Sequence, residues 1–122
     1  MAKILVVDDR QMVRDVIARV LQQWGYTVDV AKNGQDALNR FAADPADLVV
    51  LDMFMPVMNG FDALVVFRRR YPDTKVLAIS GGGEFVMEDA LAHAKKLGAH
   101  NVLAKPFSPE EMLETVCGLL AE

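Results

Sequence analysis

Residues 48–60, LVVLDMFMPVMNG, decide how this chain is read. An unbroken apolar run, Leu48-Val49-Val50-Leu51, ends abruptly in Asp52 and gives way to a loop containing proline, asparagine and glycine. An apolar run of strand length with no polar alternation, closed by turn residues, predicts a strand buried on both faces. The carboxylate at its end is then held on the rim of a sheet. What that carboxylate does there depends on what the rest of the chain brings to the same rim.

Outward from this segment the pattern repeats. Lys3 to Val7 (KILVV) predicts a first buried strand, ending in Asp8-Asp9. From Arg10 the period changes: Val13, Ile17, Val20, Leu21 and Trp24 mark an amphipathic helix stopped by Gly25. Tyr26 to Val30 predicts a second strand. Asn33-Gly34 starts a helix whose apolar face is Ala37, Leu38 and Phe41, and Asp44-Pro45 ends it. After the Asp52 strand, a helix over Phe61 to Arg70 buries Leu64, Val65 and Phe67. Its closing Arg68-Arg69-Arg70 favours the helix dipole and reads as a solvated face. Lys75 to Ile79 predicts a fourth strand ending at Ser80, followed by Gly81-Gly82-Gly83 and a helix from about Phe85 to Leu97, stopped by Gly98. Asn101 to Ala104 predicts a fifth strand ending at Lys105-Pro106-Phe107. Ser108-Pro109-Glu110-Glu111 is a strong helix start, and Met112, Val116, Leu119 and Leu120 form the buried face of the last helix.

Strands and helices alternate five times, which predicts an α/β domain with a parallel sheet covered by helices on both faces. Ligands of such folds sit outside the carboxyl ends of the strands. Asp8, Asp9, Asp52, Ser80 and Lys105 all stand at such ends, so all five are expected on one rim. The 122 residues suit one domain, 1–122, with no linker, repeat or output domain attached. The net charge of −4 argues against nucleic acid as a direct partner. A single cysteine, Cys117, the absence of a signal sequence and the absence of any run near the roughly 18 apolar residues of a membrane span predict a cytoplasmic protein without membrane attachment.

Three carboxylates crowded together call for a compensating cation. Hard oxygen ligands at an exposed rim suit magnesium, and Lys105 adds a fixed positive charge. A metal, a lysine and the Ser80 hydroxyl form a pocket for the equatorial oxygens of a phosphoryl group, with Asp52 as the nucleophile that forms an aspartyl-phosphate. Seen singly, Asp8-Asp9 could be a turn and helix cap, Asp52 a structural acid and Lys105 a surface lysine. The three glycines lack the lysine of a phosphate loop and read as a hinge. His93 and His100 have no metal partner in sequence, and Met53, Met55 and Met58 read as packing under the acidic pocket.

In combination the motifs resemble the receiver domain of two-component response regulators, particularly the single-domain, chemotaxis-type members. The motifs are DD after the first strand, D-x-x-M-P-x-M-N-G after the third, S-G after the fourth and K-P-F after the fifth. The resemblance implies a flavodoxin-like doubly wound (βα)5 sandwich with strand order 2-1-3-4-5. It implies that Asp52 accepts a phosphoryl group from a sensor histidine kinase or a histidine phosphotransfer protein. Asp8, Asp9, Asp52 and the backbone carbonyl of Phe54 would hold Mg2+, with Asp8 often acting through water. Ser80 and Lys105 would meet the phosphoryl group, and the Lys105-Pro106 bond would be cis. The activity implied is self-phosphorylation and self-dephosphorylation only. The signal would leave through helix four, strand five and helix five, to a downstream protein not named by the sequence. The chain would be a monomer, with dimerisation on phosphorylation left open.

Two positions depart from the family's commonest pattern. Val102 stands where many members carry a Tyr or Phe that swings on phosphorylation. Phe54 stands where polar residues are often found, and its ring is expected to shield the phosphoryl group from water. Competing readings are a docking module that is never phosphorylated, a haloacid dehalogenase-type phosphatase and a flavin carrier. The phosphatase family places its acids as D-x-D after the first strand, and the acids here would repel a flavin phosphate.

Overall fold

In the computed structural model, which describes residues 2–81 and 87–121, Leu48 to Leu51 are fully buried, as a strand covered on both faces requires. That strand, β3 (Leu48–Asp52), lies at the centre of a five-stranded parallel sheet. The other strands are β1 (Lys3–Val7), β2 (Thr27–Ala31), β4 (Lys75–Ser80) and β5 (Asn101–Ala104). They alternate with α1 (Gln11–Gln23), α2 (Gly34–Ala43), α3 (Gly60–Arg70), α4 (Met87–Lys96) and α5 (Pro109–Leu120). The order is β2-β1-β3-β4-β5, the flavodoxin-like doubly wound arrangement. None of the described helices is long and apolar enough to cross a membrane.

The sheet separates two cores. On one side α2, α3 and α4 bring Leu38, Phe41, Leu64, Phe67 and Ala94 against Leu5, Val49 and Leu51. On the other, α1 and α5 bring Ile17, Leu21, Met112 and Val116 against Ile4, Val6, Val50 and Ile79. Alternate residues of one strand thus serve different cores, which is why β3 reads as apolar throughout. Phe41 and Phe67 meet edge to face, centroids 5.2 Å apart at 80°, a geometry worth about 0.5–1.5 kcal/mol beyond area burial.

The helix starts follow their sequence signals. Asn33 accepts from the Asp36 amide at 2.8 Å and Asn59 from the Asp62 amide at 2.9 Å. Ser108 and Glu111 form the reciprocal capping box, with Pro109 at the first turn. Three expectations need adjustment. The second strand begins at Thr27, because the Tyr26 amide donates to the Leu21 carbonyl and so closes the end of α1. On α3 the buried face is Ala63, Leu64 and Phe67, with Val65 only half-buried. On α1 the buried positions are Ile17 and Leu21, and Trp24 at the C-cap is exposed. The expected start of the fourth helix at Phe85, and Gly82-Gly83 of the expected hinge, lie outside the described residues.

Gly60 is demanded by close approach: a β-carbon there would stand 2.0 Å from the Asp52 carbonyl oxygen and 2.6 Å from the Met53 Cα. Its amide donates to the Met53 carbonyl at 2.9 Å, so the start of α3 rests on the backbone that carries Asp52. Gly118, on exposed α5 backbone, would give a β-carbon nothing within 4 Å. Gly60→Ala should therefore lose about 3 kcal/mol of stability, and Gly118→Ala should gain about 0.5–1 kcal/mol. Urea denaturation of both variants beside wild type checks the pair; wild-type stability for Gly60→Ala would contradict the close contact.

Candidate functional site

Parallel strands end on one rim, and each expected residue arrives there by its place in the sheet. Asp8 and Asp9 follow β1, Asp52 closes β3, Ser80 closes β4 and Lys105 follows β5. Pairing of Val7 with Leu51 and of Asp52 with Ile79 sets the three central strand ends side by side. The Lys105 amide donates to the Ser80 carbonyl at 2.8 Å, which fixes the start of the last loop to the end of β4. The Lys105-Pro106 bond is cis. A cleft of about 460 Å³ opens here, lined by Asp9, Arg10, Asp52, Phe54, Gly81, Lys105 and Pro106.

The three carboxylates are not equivalent. Asp8 is fully buried and well provided for: its Oδ2 meets Lys105 Nζ at 2.7 Å, and its Oδ1 accepts from the Arg10 amide at 2.9 Å. Arg14 donates to the Asp8 backbone carbonyl at 2.8 Å. The helix-cap alternative for Asp8-Asp9 does not hold, because the N-cap position of α1 is Arg10 and no side chain caps it. Asp9 is exposed and faces the cleft. Asp52 is only 4% exposed, and its Oδ1 lies 3.7 Å from Lys105 Nζ, within ion-pair range and beyond a hydrogen bond.

Asp52 therefore bears the electrostatic cost of the site. Its pKa is pushed up to about 6, chiefly by burial and next by the Asp8 charge. The Lys105 ammonium and the Phe54 amide, which donates to the Asp52 carboxylate, only partly offset this, and Asp9 adds a smaller upward push. One carboxylate oxygen from each of Asp8, Asp9 and Asp52 can be chosen so that all lie within 4.8 Å of one another. Such a set of hard, negatively charged donors beside solvent fits a divalent cation.

Ser80 adds a second sign of function. Its hydroxyl oxygen is buried with no hydrogen-bond partner among the described residues. A buried orphan hydroxyl costs about 1–3 kcal/mol, and such exceptions in folded proteins call for an explanation. The loop after Asp52 carries strain of its own. Val57, a β-branched residue, sits at φ 70° and is 84% exposed. The loop is pinned on either side, by the Met53 amide on the Ile79 carbonyl and by the Gly34 amide on the Met58 carbonyl. Met53 and Met55 are buried and Met58 packs beside them, against the α2–α3 core.

Some contacts could not be read in advance. Arg10 and Arg14 buttress Asp8 through the backbone, a use that a charge pattern does not reveal. His100 Nδ1 accepts from the Val76 amide at 3.0 Å, a structural role. His93, exposed on α4, stacks on Phe61, ring centroids 5.1 Å apart, and Phe61 meets Phe54 at 5.6 Å. Spacing within one helix gives no sign of rings that meet between elements.

A doubly wound parallel sheet with an acid cluster, a lysine and a hydroxyl on its carboxyl rim defines a class of phosphoryl-handling α/β domains. Within that class the chain belongs to the response regulator receiver domain family, whose signature spans residues 4–117. It is 38% identical, over 98% of its length, to the alkaline phosphatase synthesis transcriptional regulatory protein SphR of Synechococcus elongatus, of which it covers 49%. It is 31% identical to the chemotaxis protein CheY of Thermotoga maritima, with 93% of each covered. Among solved structures, chemotaxis protein CheY4 of Vibrio cholerae superposes with a TM-score of 0.86 at 33% identity, with 98% of each chain covered. The chain spans about half the length, or less, of several curated relatives.

The raised Asp52 pKa sets the sign of a pH effect in cation-free protein. The folded state holds this proton more tightly than the unfolded chain. Its contribution to stability is therefore full below the ordinary value of 3.8 and is lost as pH rises through about 6. The loss is on the order of 2–3 kcal/mol. Relative to wild type in chelator, Asp52→Asn should grow more stable between pH 4 and pH 7 by roughly that amount, and added magnesium should narrow the gap. Denaturant titrations across that range measure it; a difference that stays flat with pH would contradict the assignment.

Proposed function

We propose that residues 1–122 act as one phosphorylation-dependent signalling switch, with Asp52 as the phosphoacceptor. The observation that carries this reading is the state of Asp52: buried, raised in pKa, and set beside two further acids and one lysine, with Ser80, whose hydroxyl has no partner among the described residues, on the neighbouring strand end. Such a site is unfavourable at rest and improves when a cation and a phosphoryl group arrive.

An Asp52 carboxylate oxygen would attack phosphorus, and the bond from phosphorus to a donor nitrogen would break. The donor is a phosphohistidine on a sensor kinase or on a histidine phosphotransfer protein. Mg2+ held by Asp9, Asp52 and the Phe54 backbone carbonyl, with Asp8 beside it, would offset charge on the phosphoryl oxygens. Lys105 would exchange its ion pair with Asp8 for one with a phosphoryl oxygen, a short move given its 3.7 Å separation from Asp52. Ser80 would donate a hydrogen bond from its hydroxyl to another phosphoryl oxygen, giving that group the partner it lacks among the described residues. Attack by water would later return Asp52 and release inorganic phosphate. Turnover is thus confined to the domain's own aspartyl-phosphate.

A protein donor needs a place to sit beside the acceptor. Met12, Val13, Val16 and Ile17 of α1 form an apolar groove with Lys105, Pro106 and Phe107, sharing Lys105 and Pro106 with the cleft. Met12 and Val16 are 79% and 52% exposed, an unusual display for a helix that buries its other face. On the output side the partner is a protein that reads the α4–β5–α5 surface, by direct binding or by taking the phosphoryl group onward. Relatives named as a chemotaxis protein and as a transcriptional regulatory protein support a signalling output.

Incubation with Mg2+ and a small phosphodonor, or with a phosphorylated phosphotransfer domain, should add one phosphoryl group by intact-mass spectrometry. Asp52→Asn should abolish the adduct, and Lys105→Ala should greatly reduce it. An adduct that persists in Asp52→Asn would overturn the acceptor assignment. Turnover of a general phosphomonoester would favour the phosphatase reading, and failure to bind magnesium or to form any adduct would favour the docking module.

Phe54 lines the cleft, and an apolar ring there should slow the approach of water to the aspartyl-phosphate. Phe54→Asn should shorten the lifetime of the adduct several-fold, followed as phosphate release after donor removal. Equal rates would sink this role for Phe54.

A further inference from the structure

Three rings form a row that leaves the cleft on its α3–α4 side. Phe54, in the loop after Asp52, lines the cleft and is half-buried. Its ring meets Phe61 at 5.6 Å and 79°, edge to face. Phe61 in turn meets the imidazole of His93 at 5.1 Å and 48°. His93 is exposed on α4, so the row runs from the cleft wall to solvent.

The mounting of the three rings differs. Phe61 lies in the first turn of α3, where Asn59 caps the helix and Gly60 is hydrogen-bonded to Met53, so the backbone that carries the middle ring is fixed. Phe54 and Phe61 both pack against the core formed by α2, α3 and α4. His93 belongs to α4, the helix that follows β4 in the chain. Val102, on the neighbouring strand, packs against the same core but carries no ring. The ring row is therefore an aromatic connection between the cleft and the face of α4.

We propose that Phe61 and His93 are positioning residues: they hold Phe54 against the mouth of the cleft and thereby set how long Asp52 stays phosphorylated. This rests on Asp52 as acceptor and on Phe54 as its water shield. Edge-to-face and offset ring pairs restrict one another's rotation, so removal of the middle ring leaves Phe54 free to swing away. The coupling is reciprocal. Whatever holds Phe54 in place when the phosphoryl group is present also biases the ring of His93, and a protein that grips His93 on α4 alters the phosphoryl lifetime.

The test uses residues 1–122, Mg2+ and acetyl phosphate, with decay of the adduct followed by intact mass after donor removal. Phe61→Leu, which keeps apolar bulk, should decay roughly two- to tenfold faster than wild type. His93→Ala, a surface change, should move the rate in the same direction. Both should take up the phosphoryl group at the wild-type initial rate and bind magnesium with unchanged affinity. The double variant Phe54→Asn/Phe61→Leu should decay no faster than Phe54→Asn alone, because a positioning residue has nothing left to position. In wild type the His93 ring-proton resonances should shift on phosphorylation at constant pH, and in Phe61→Leu they should not. Wild-type decay in Phe61→Leu and His93→Ala, with Phe54→Asn still fast, would overturn the positioning role and leave Phe54 its own. Unchanged decay in all three variants would overturn the shield and the row together. Absence of any adduct in wild type would instead remove the acceptor reading.

Discussion

One ammonium group serves two buried carboxylates, and most of the site follows from that shortage. Lys105 reaches from the loop after the edge strand β5 to the acid after β1, and stands 2.7 Å from Asp8 against 3.7 Å from Asp52. Asp8 has the shorter contact and a backbone donor besides. Asp52, nearly as deeply buried, is left with a protonation balance shifted towards neutral. With Asp9 also facing the cleft, the rim carries more negative charge than the protein itself neutralises. The resting arrangement is thus held away from its electrostatic optimum by the fold. Packing of both cores is what maintains it.

Local strain accompanies this charge imbalance. Val57 at positive φ lies in the loop after the acid, and the Ser80 hydroxyl, buried with no partner among the described residues, lies at the end of the neighbouring strand. Each is unfavourable in isolation and persists because the backbone on either side is pinned. The acid is consequently mounted without slack.

Much of this was legible in the residues themselves. Strands covered on both faces announce themselves as apolar runs, and the polar residue that ends each run falls on the carboxyl rim. Asp8, Asp9, Asp52, Ser80 and Lys105 could therefore be gathered to one place from spacing alone. Helix rotation was less legible. Ala63 is buried where Val65 is only half-buried, because close approach to the sheet favours a small side chain over a large apolar one. The division of labour among the acids was not legible at all. Which carboxylate the lysine chooses depends on distances between strands remote in sequence. The meeting of Phe54, Phe61 and His93 likewise arises only when α3 and α4 pack side by side.

The sheet that separates the two cores has a consequence for how such a domain diversifies. The apolar groove beside the cleft belongs to α1, and the ring row belongs to α3 and α4, on opposite faces. Alternate residues of each strand point to one face or the other, so a substitution that reshapes one surface meets a different set of neighbours from those beneath the other. A substitution under the α1 groove and one under the ring row therefore act on separate cores.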